Sequence, residues 1–151
     1  MLASSSLDGT INLWYPGSHI KTKTIKGHSG AVLACSFSPD GRMVLSASAD
    51  KTVKLWDIDT LKFKNSYVAH TNWVNTASLS ADMNSVVSGG EDKRVIVWDQ
   101  TKKKALQKYE MFESAITKTL FHPTEPWVIS ASRNKNVTIH DLREEKVVQY
   151  Y

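Results

Sequence analysis

Ser46, His28 and Asp50 are the residue types of a hydrolytic triad: a nucleophile, a base and an acid that orients the base. The same types stand again at Ser88, His70 and Asp92, each displaced by 42 residues, and a tryptophan, Trp56 and then Trp98, keeps that interval. A catalytic centre need not be copied at each step of a repeat. A hydrogen-bonded network that satisfies buried polar groups must be. The repetition therefore assigns these eight residues to structure. His19, His122 and His140 fall in different segments with no i, i+4 spacing, so no metal site is expected. The patterns GxGxxG, GxxxxGK[ST], HExxH and GxSxG are absent, and neither a cofactor nor an enzymatic activity is expected.

The elements that would carry these residues repeat with them. Ser4, Ser46, Ser88 and Ser130 keep the 42-residue interval, as do Val32, Val74 and Ile116, and Phe37, Leu79 and Phe121. Asp8 and Trp14 open their columns, so a first, partial set is Ser4, Asp8 and Trp14. Within a period, residues 32–37 form an apolar run, SPDG is a turn, MVLSAS is a second run, ADKT a tight turn, VKLWD a third run, and roughly KFKNSYV a fourth. Short apolar runs between turns, without a 3.6-residue period, predict a four-stranded antiparallel unit. The last unit departs, with Phe112 for His, Asn134 for Asp and His140 for Trp. Its network is expected to be absent or rewired, making that unit the least stable.

Composition bounds the class. The 151 residues are 41% hydrophobic and 23% charged, too apolar and too mixed in charge for disorder. No run of 18 apolar residues exists, so no membrane helix is expected, and the start MLASSSLDGT has no secretory n- or h-region. Cys35 is the only cysteine, which excludes an internal disulfide and suits a reducing compartment; it is expected to be buried and inert.

Gly27-His28, Ala69-His70, Leu55-Trp56-Asp57 and Val97-Trp98-Asp99, at this period, resemble the WD40 repeat. The resemblance implies blades around a central channel, with the first strand of each innermost and the fourth outermost. It also implies that the Trp indole bonds the Ser hydroxyl, the hydroxyl reaches the His, and the His bonds the Asp. The expected fold is all-β, a partial propeller of about 3.6 four-stranded antiparallel blades and part of a seven-bladed ring. The units are 1–26 (incomplete, lacking its inner strand), 27–68, 69–110 and 111–151. Remaining blades of the same propeller are then expected partners.

Charge is unevenly placed. The net charge is +4, and residues 15–27, 57–69, 99–111 and 141–151 together hold 11 Lys/Arg against 7 Asp/Glu, so the whole excess lies on the outermost-strand segments. Lys21, Lys23 and Lys26 form one cluster, Lys62 and Lys64 a second, and Lys102, Lys103, Lys104 and Lys108 the densest. They read either as edge lysines that deter strand pairing or as a basic rim that docks on an acidic partner. Nucleic acid is not expected, since no aromatic-interleaved basic groove is present. Trp73 follows Asn72 and occupies a column held elsewhere by Ala31 and Ala115. It reads either as a contact residue or as a packing plug. Trp127 opens a strand and reads as core.

The stretch KTVKLWDIDTLKFKNSYVAHTNWV, then KKALQKY and FHPTEPWVISASRNKNVTIHDLREEKVVQYY, resembles the central blades of the centriolar "proteome of centriole" WD40 family. This resemblance implies a non-enzymatic scaffold in the cytoskeleton, at a centriole, basal body or cilium. It would bind microtubules and other centriolar or axonemal proteins, and hold triplet or doublet walls. The alternative is a generic adaptor in a ubiquitin-ligase, RNA-processing or signalling complex, reading its partner near Trp73.

Overall fold

The computed structural model describes the chain except residues 18–20 and 145, and the side chains of residues 21 and 22. Fifteen strands form among the described residues, and no helix. β1 (Leu2–Ser5), β2 (Thr10–Trp14) and β3 (Lys21–Lys26) make a three-stranded sheet. Three four-stranded sheets follow. The first comprises β4 (Val32–Phe37), β5 (Met43–Ser48), β6 (Thr52–Asp57) and β7 (Phe63–Val68). The next is β8 (Val74–Leu79), β9 (Ser85–Gly90), β10 (Val95–Asp99) and β11 (Lys104–Tyr109). The last is β12 (Ile116–Phe121), β13 (Trp127–Ser132), β14 (Val137–Asp141) and β15 (Lys146–Tyr150). Each is a meander in which sequence neighbours pair antiparallel. The sheets are blades one to four of an all-β partial propeller.

Burial shows how the blades stack. In β5 and β9 nearly every residue is buried, on both faces, because blades two and three are sandwiched. In β13 burial alternates, because only one face is covered. The first seam joins Ile11, Leu13 and Ile25 to Val32, Val44, Trp56 and Ile58. The second joins Leu45, Val53, Leu55 and Tyr67 to Val74, Val86 and Trp98. The third joins Val87, Val95, Val97 and Tyr109 to Ile116 and Val128. Each fully buried aliphatic side chain of this kind contributes about 1.5–3 kcal/mol.

One polar contact recurs on the outermost strands. Lys23 Nζ donates to the Ile58 carbonyl (3.2 Å), Asn65 Nδ2 to Gln100 (3.1 Å) and Gln107 Nε2 to Leu142 (2.9 Å). These residues are 42 apart, and each reaches the third turn of the next blade.

Two expectations on packing are corrected. Cys35 is half-buried, because it lies at the margin of the seam with blade one. Trp127 is also half-buried; its indole donates to Asp141 Oδ2 (3.2 Å) at the strand end, where His122 packs edge-on against it (ring centroids 5.4 Å) and no core cluster encloses it.

Candidate functional site

The third and fourth strands of every blade are joined through a register shift, at Leu13/Trp14, Leu55/Trp56, Val97/Trp98 and Ile139/His140. A bulge redirects the side chain beside it, here the Trp column, towards the serine on the neighbouring strand. Trp56 Nε1 donates to Ser46 Oγ at 2.8 Å, and Ser46 Oγ lies 2.7 Å from His28 Nε2. His28 Nδ1 lies 2.7 Å from Asp50 Oδ2. In blade three Trp98 donates to Ser88 Oγ at 2.9 Å, Ser88 Oγ lies 2.8 Å from His70 Nε2, and His70 Nδ1 is 2.8 Å from Asp92 Oδ2.

Burial lowers the His28 pKa, against the opposing hydrogen bond to Asp50. A neutral ring then donates from Nδ1 to Asp50 and accepts the Ser46 hydroxyl at Nε2, a tautomer assigned from the network. Burial raises the Asp50 and Asp92 pKa values, but hydrogen bonds from Thr52 and His28, and from His70, hold both below the usual carboxylate range. Asp50 also accepts from the Ser29 amide (3.2 Å), and Asp92 from that of Thr71 (3.0 Å), so each acid anchors the loop entering its blade. Ser46 and Ser88 have no exposed surface and already accept the indole N–H, so neither hydroxyl is presented to a substrate.

In the partial set Trp14 donates to Ser4 Oγ (2.9 Å), while Asp8 caps its turn through Thr10. Blade four is rewired. His140 is fully buried between Tyr109 (ring centroids 4.2 Å) and Phe112 (5.7 Å), with Nε2 3.4 Å from Ser130 Oγ and Nδ1 without a partner. Asn134 accepts only from Ser132 Oγ.

Gly27 explains its place before His28. A Cβ there would lie 2.1 Å from Cη2 of Trp56, so the indole rests directly on the backbone. Gly27→Ala is expected to lower stability by about 1–2 kcal/mol, read as a urea midpoint shift, because the ring that donates to Ser46 must move. Retention of the wild-type midpoint would contradict this packing.

Three matches to the family described as "WD domain, G-beta repeat" cover residues 20–57, 61–99 and 104–141. The chain belongs to the WD40 repeat family. No curated protein matches it. The third WD40 match ends on His140-Asp141, so the repeat is retained where its tryptophan is not. WD40 repeats act generally as protein-interaction modules, and the surface residues are where this one differs from a bare scaffold.

The basic segments divide on inspection. Lys23 is turned to the next blade's carbonyls, which removes it from the rim. Lys64 pairs with Asp57 (3.4 Å) and Lys102 with Asp99 (3.7 Å). Lys26, Lys62, Lys103, Lys104 and Lys108 are exposed. The Lys21 side chain lies outside the described residues, as does His19. Trp73 is 53% exposed, so it does not plug a gap; its carbonyl accepts the Glu91 amide (2.8 Å), as Ala31 and Ala115 accept those of Ala49 and Arg133. Asn72 Oδ1 accepts the Trp73 amide (2.8 Å), stiffening the loop that presents the indole. Asn75, Glu91 and Arg133 form a polar link between blades three and four beside it, with Arg133 to Glu91 at 2.7 Å. The sequence reading missed that link, and it missed the seam donors Asn65 and Gln107. The seam donors share the 42-residue spacing with Lys23 but not a residue type. Among the described residues no group of three or more His, Cys, Asp or Glu lies together as metal ligands.

Proposed function

We propose that the chain is a non-enzymatic scaffold that attaches to the microtubule wall of a centriole, basal body or axoneme through its outermost strands. The observation that carries this reading is the confinement of the +4 excess to those strands and their flanking loops, with Lys62, Lys103, Lys104 and Lys108 exposed. Tubulin surfaces are acidic, and a basic rim on an interaction module complements them. The resemblance of residues 51–74 to the centriolar family supports the choice of this acidic partner over others. The same reading has further blades covering the outer faces. Ile129, Val137 and Ile139 are half-exposed in columns buried in blades two and three, and a cavity of about 470 Å³ lies beside Trp14, Leu2 and Tyr15.

Charge reversal at Lys102, Lys103 and Lys104 is expected to weaken microtubule co-sedimentation by about tenfold at moderate salt and to leave the thermal midpoint unchanged. Unchanged co-sedimentation would overturn the rim reading. A second reading, an adaptor in a regulatory complex, is favoured by one observation, the exposed Trp73 held by Asn72.

A further inference from the structure

Blades two to four each tie the turn between their first two strands to the turn between their last two. The Ile58 amide donates to the Arg42 carbonyl (3.0 Å), Gln100 to Asn84 (2.8 Å) and Leu142 to Pro126 (2.9 Å). Where this end of blade four meets blade three, two cavities of about 340 Å³ each adjoin, sharing Ser85 and Leu142. Val97, Leu106 and Gln107 wall the outer one, and Phe121, Pro123 and Pro126 line the inner one. The inner wall is braced: His122 Nδ1 accepts the Glu125 amide (3.0 Å), and the His122 ring packs edge-on against Trp127.

Folding does not call for an apolar groove here. Leu106, Pro126 and Leu142 stand 42 residues after Lys64, Asn84 and Gln100, which hold the same three places between blades two and three. Lys64 pairs there with Asp57 (3.4 Å). Leu106 has no charge to offer and is 55% exposed, and Asp99 takes Lys102 instead (3.7 Å). In the first seam Ile58 holds the column of Leu142, but it is buried within the core there. A lone exposed leucine is ordinary, whereas one continuous with a half-open apolar groove marks a contact surface. The groove also opens onto the densest basic cluster. Lys104 and Lys108 lie two residues to either side of Leu106 on β11 and share its exposed face, and Lys102 and Lys103 sit in the turn before that strand. The inner mouth is acidic: Glu125 is exposed, and Asp82 is held by Ser80 and Asn84. A bound segment is thus attracted by its acidic part at the rim and repelled at the inner mouth, which gives it one direction.

We infer that this groove takes an apolar or aromatic side chain from the acidic protein that the rim lysines hold, with that partner's carboxylates beside Lys102, Lys103, Lys104 and Lys108. The lysines steer the encounter and the groove anchors it. The inference rests on the rim reading for the partner's charge, and it adds the residue type that selects one acidic surface over another.

The test is a variant with Leu106→Lys and Leu142→Gln, which carries the residues of the seam between blades two and three and is expected to keep the wild-type thermal midpoint. It also adds a positive charge, which by itself would tighten any acidic ligand. Fluorescence anisotropy with a short labelled polyglutamate peptide, and with the same peptide carrying one central phenylalanine, separates the two effects. The wild-type chain is expected to bind the phenylalanine peptide about tenfold more tightly, and the variant to bind the two alike. Leu106→Lys alone, at an exposed site, is expected to lower that preference at an unchanged midpoint. Equal affinities in the wild type, or a preference that survives in the double variant, overturn the proposal. So does polyuridine bound more tightly than either peptide, since the rim would then serve a nucleic-acid strand. Reversal of Lys102, Lys103 and Lys104 should weaken both peptides and keep the ratio between them. If microtubules fail to sediment with the wild-type chain while the phenylalanine preference holds, the microtubule reading falls and the groove stands, serving another acidic protein.

Discussion

Asp92→Ala is expected to destabilise the chain by about 3 kcal/mol, because it strands the fully buried His70 imidazole without an acceptor and frees the loop its carboxylate holds. The side chains of His70 and Asp92 are 0% and 2% exposed. Removing the carboxylate leaves His70 Nδ1 and the amides of Thr71 and Arg94 without their acceptor. His70 then loses the orientation that lets Ser88 bridge it to Trp98, and the loop leading to Trp73 loses its anchor. Against a domain stability of roughly 5–15 kcal/mol this is a large fraction. Asn134→Ala, at the same place in blade four, removes only an acceptor for the Ser132 hydroxyl and is expected to cost less than about 1 kcal/mol. Urea titrations of the two variants compare the blades directly. Equal shifts would mean that the aspartate acts as a turn residue and not through the network.

Acidification is expected to open blade four before the others. His140 has no carboxylate partner, and burial lowers its pKa from 6.5 to about 4. The unfolded chain therefore takes up a proton near pH 6.5 while the folded blade refuses it until about pH 4. Stability is complete above the first value and falls as pH drops towards the second, by up to about 1.4 kcal/mol per pH unit. The depressed carboxylates Asp50 and Asp92 respond below the ordinary value of 3.8, in a lower window. His28 is shifted in the same direction as His140, so the two must be separated by position. Hydrogen-exchange protection is expected to be lower across 112–150 than across 28–68 at neutral pH, with the gap widening by pH 5. His140→Trp should flatten this dependence and raise protection, because an indole beside Tyr109 would repeat the Tyr67–Trp98 contact (5.5 Å) and donate to Ser130. Equal protection of the two regions, or an unaltered pH profile in the variant, would contradict the assignment.

The reach of sequence reasoning follows the physical demands on each column. A buried hydroxyl–imidazole–carboxylate chain tolerates few substitutions, so Ser46, Ser88, His28 and His70 repeat by type and could be named. The seam donor on the outermost strand has to present only an N–H to a carbonyl, and Lys23, Asn65 and Gln107 all do so. That freedom hid the column, and it made Lys23 look like part of the basic rim. Exposure of Trp73 and partial exposure of Cys35 and Trp127 depend on what the neighbouring blade supplies, which no local pattern reports.

The outer-strand donors also give the molecule a polarity. Blades one to three each reach forward to a carbonyl of the next blade, and blades two to four are each grasped from behind, so front and back are chemically different surfaces. Such a contact is heterologous: two identical fronts pressed together would face donor to donor and leave both sets of carbonyls unanswered. The stack therefore has a grammatical direction, like a sentence, and any blade added to it can be read in only one order.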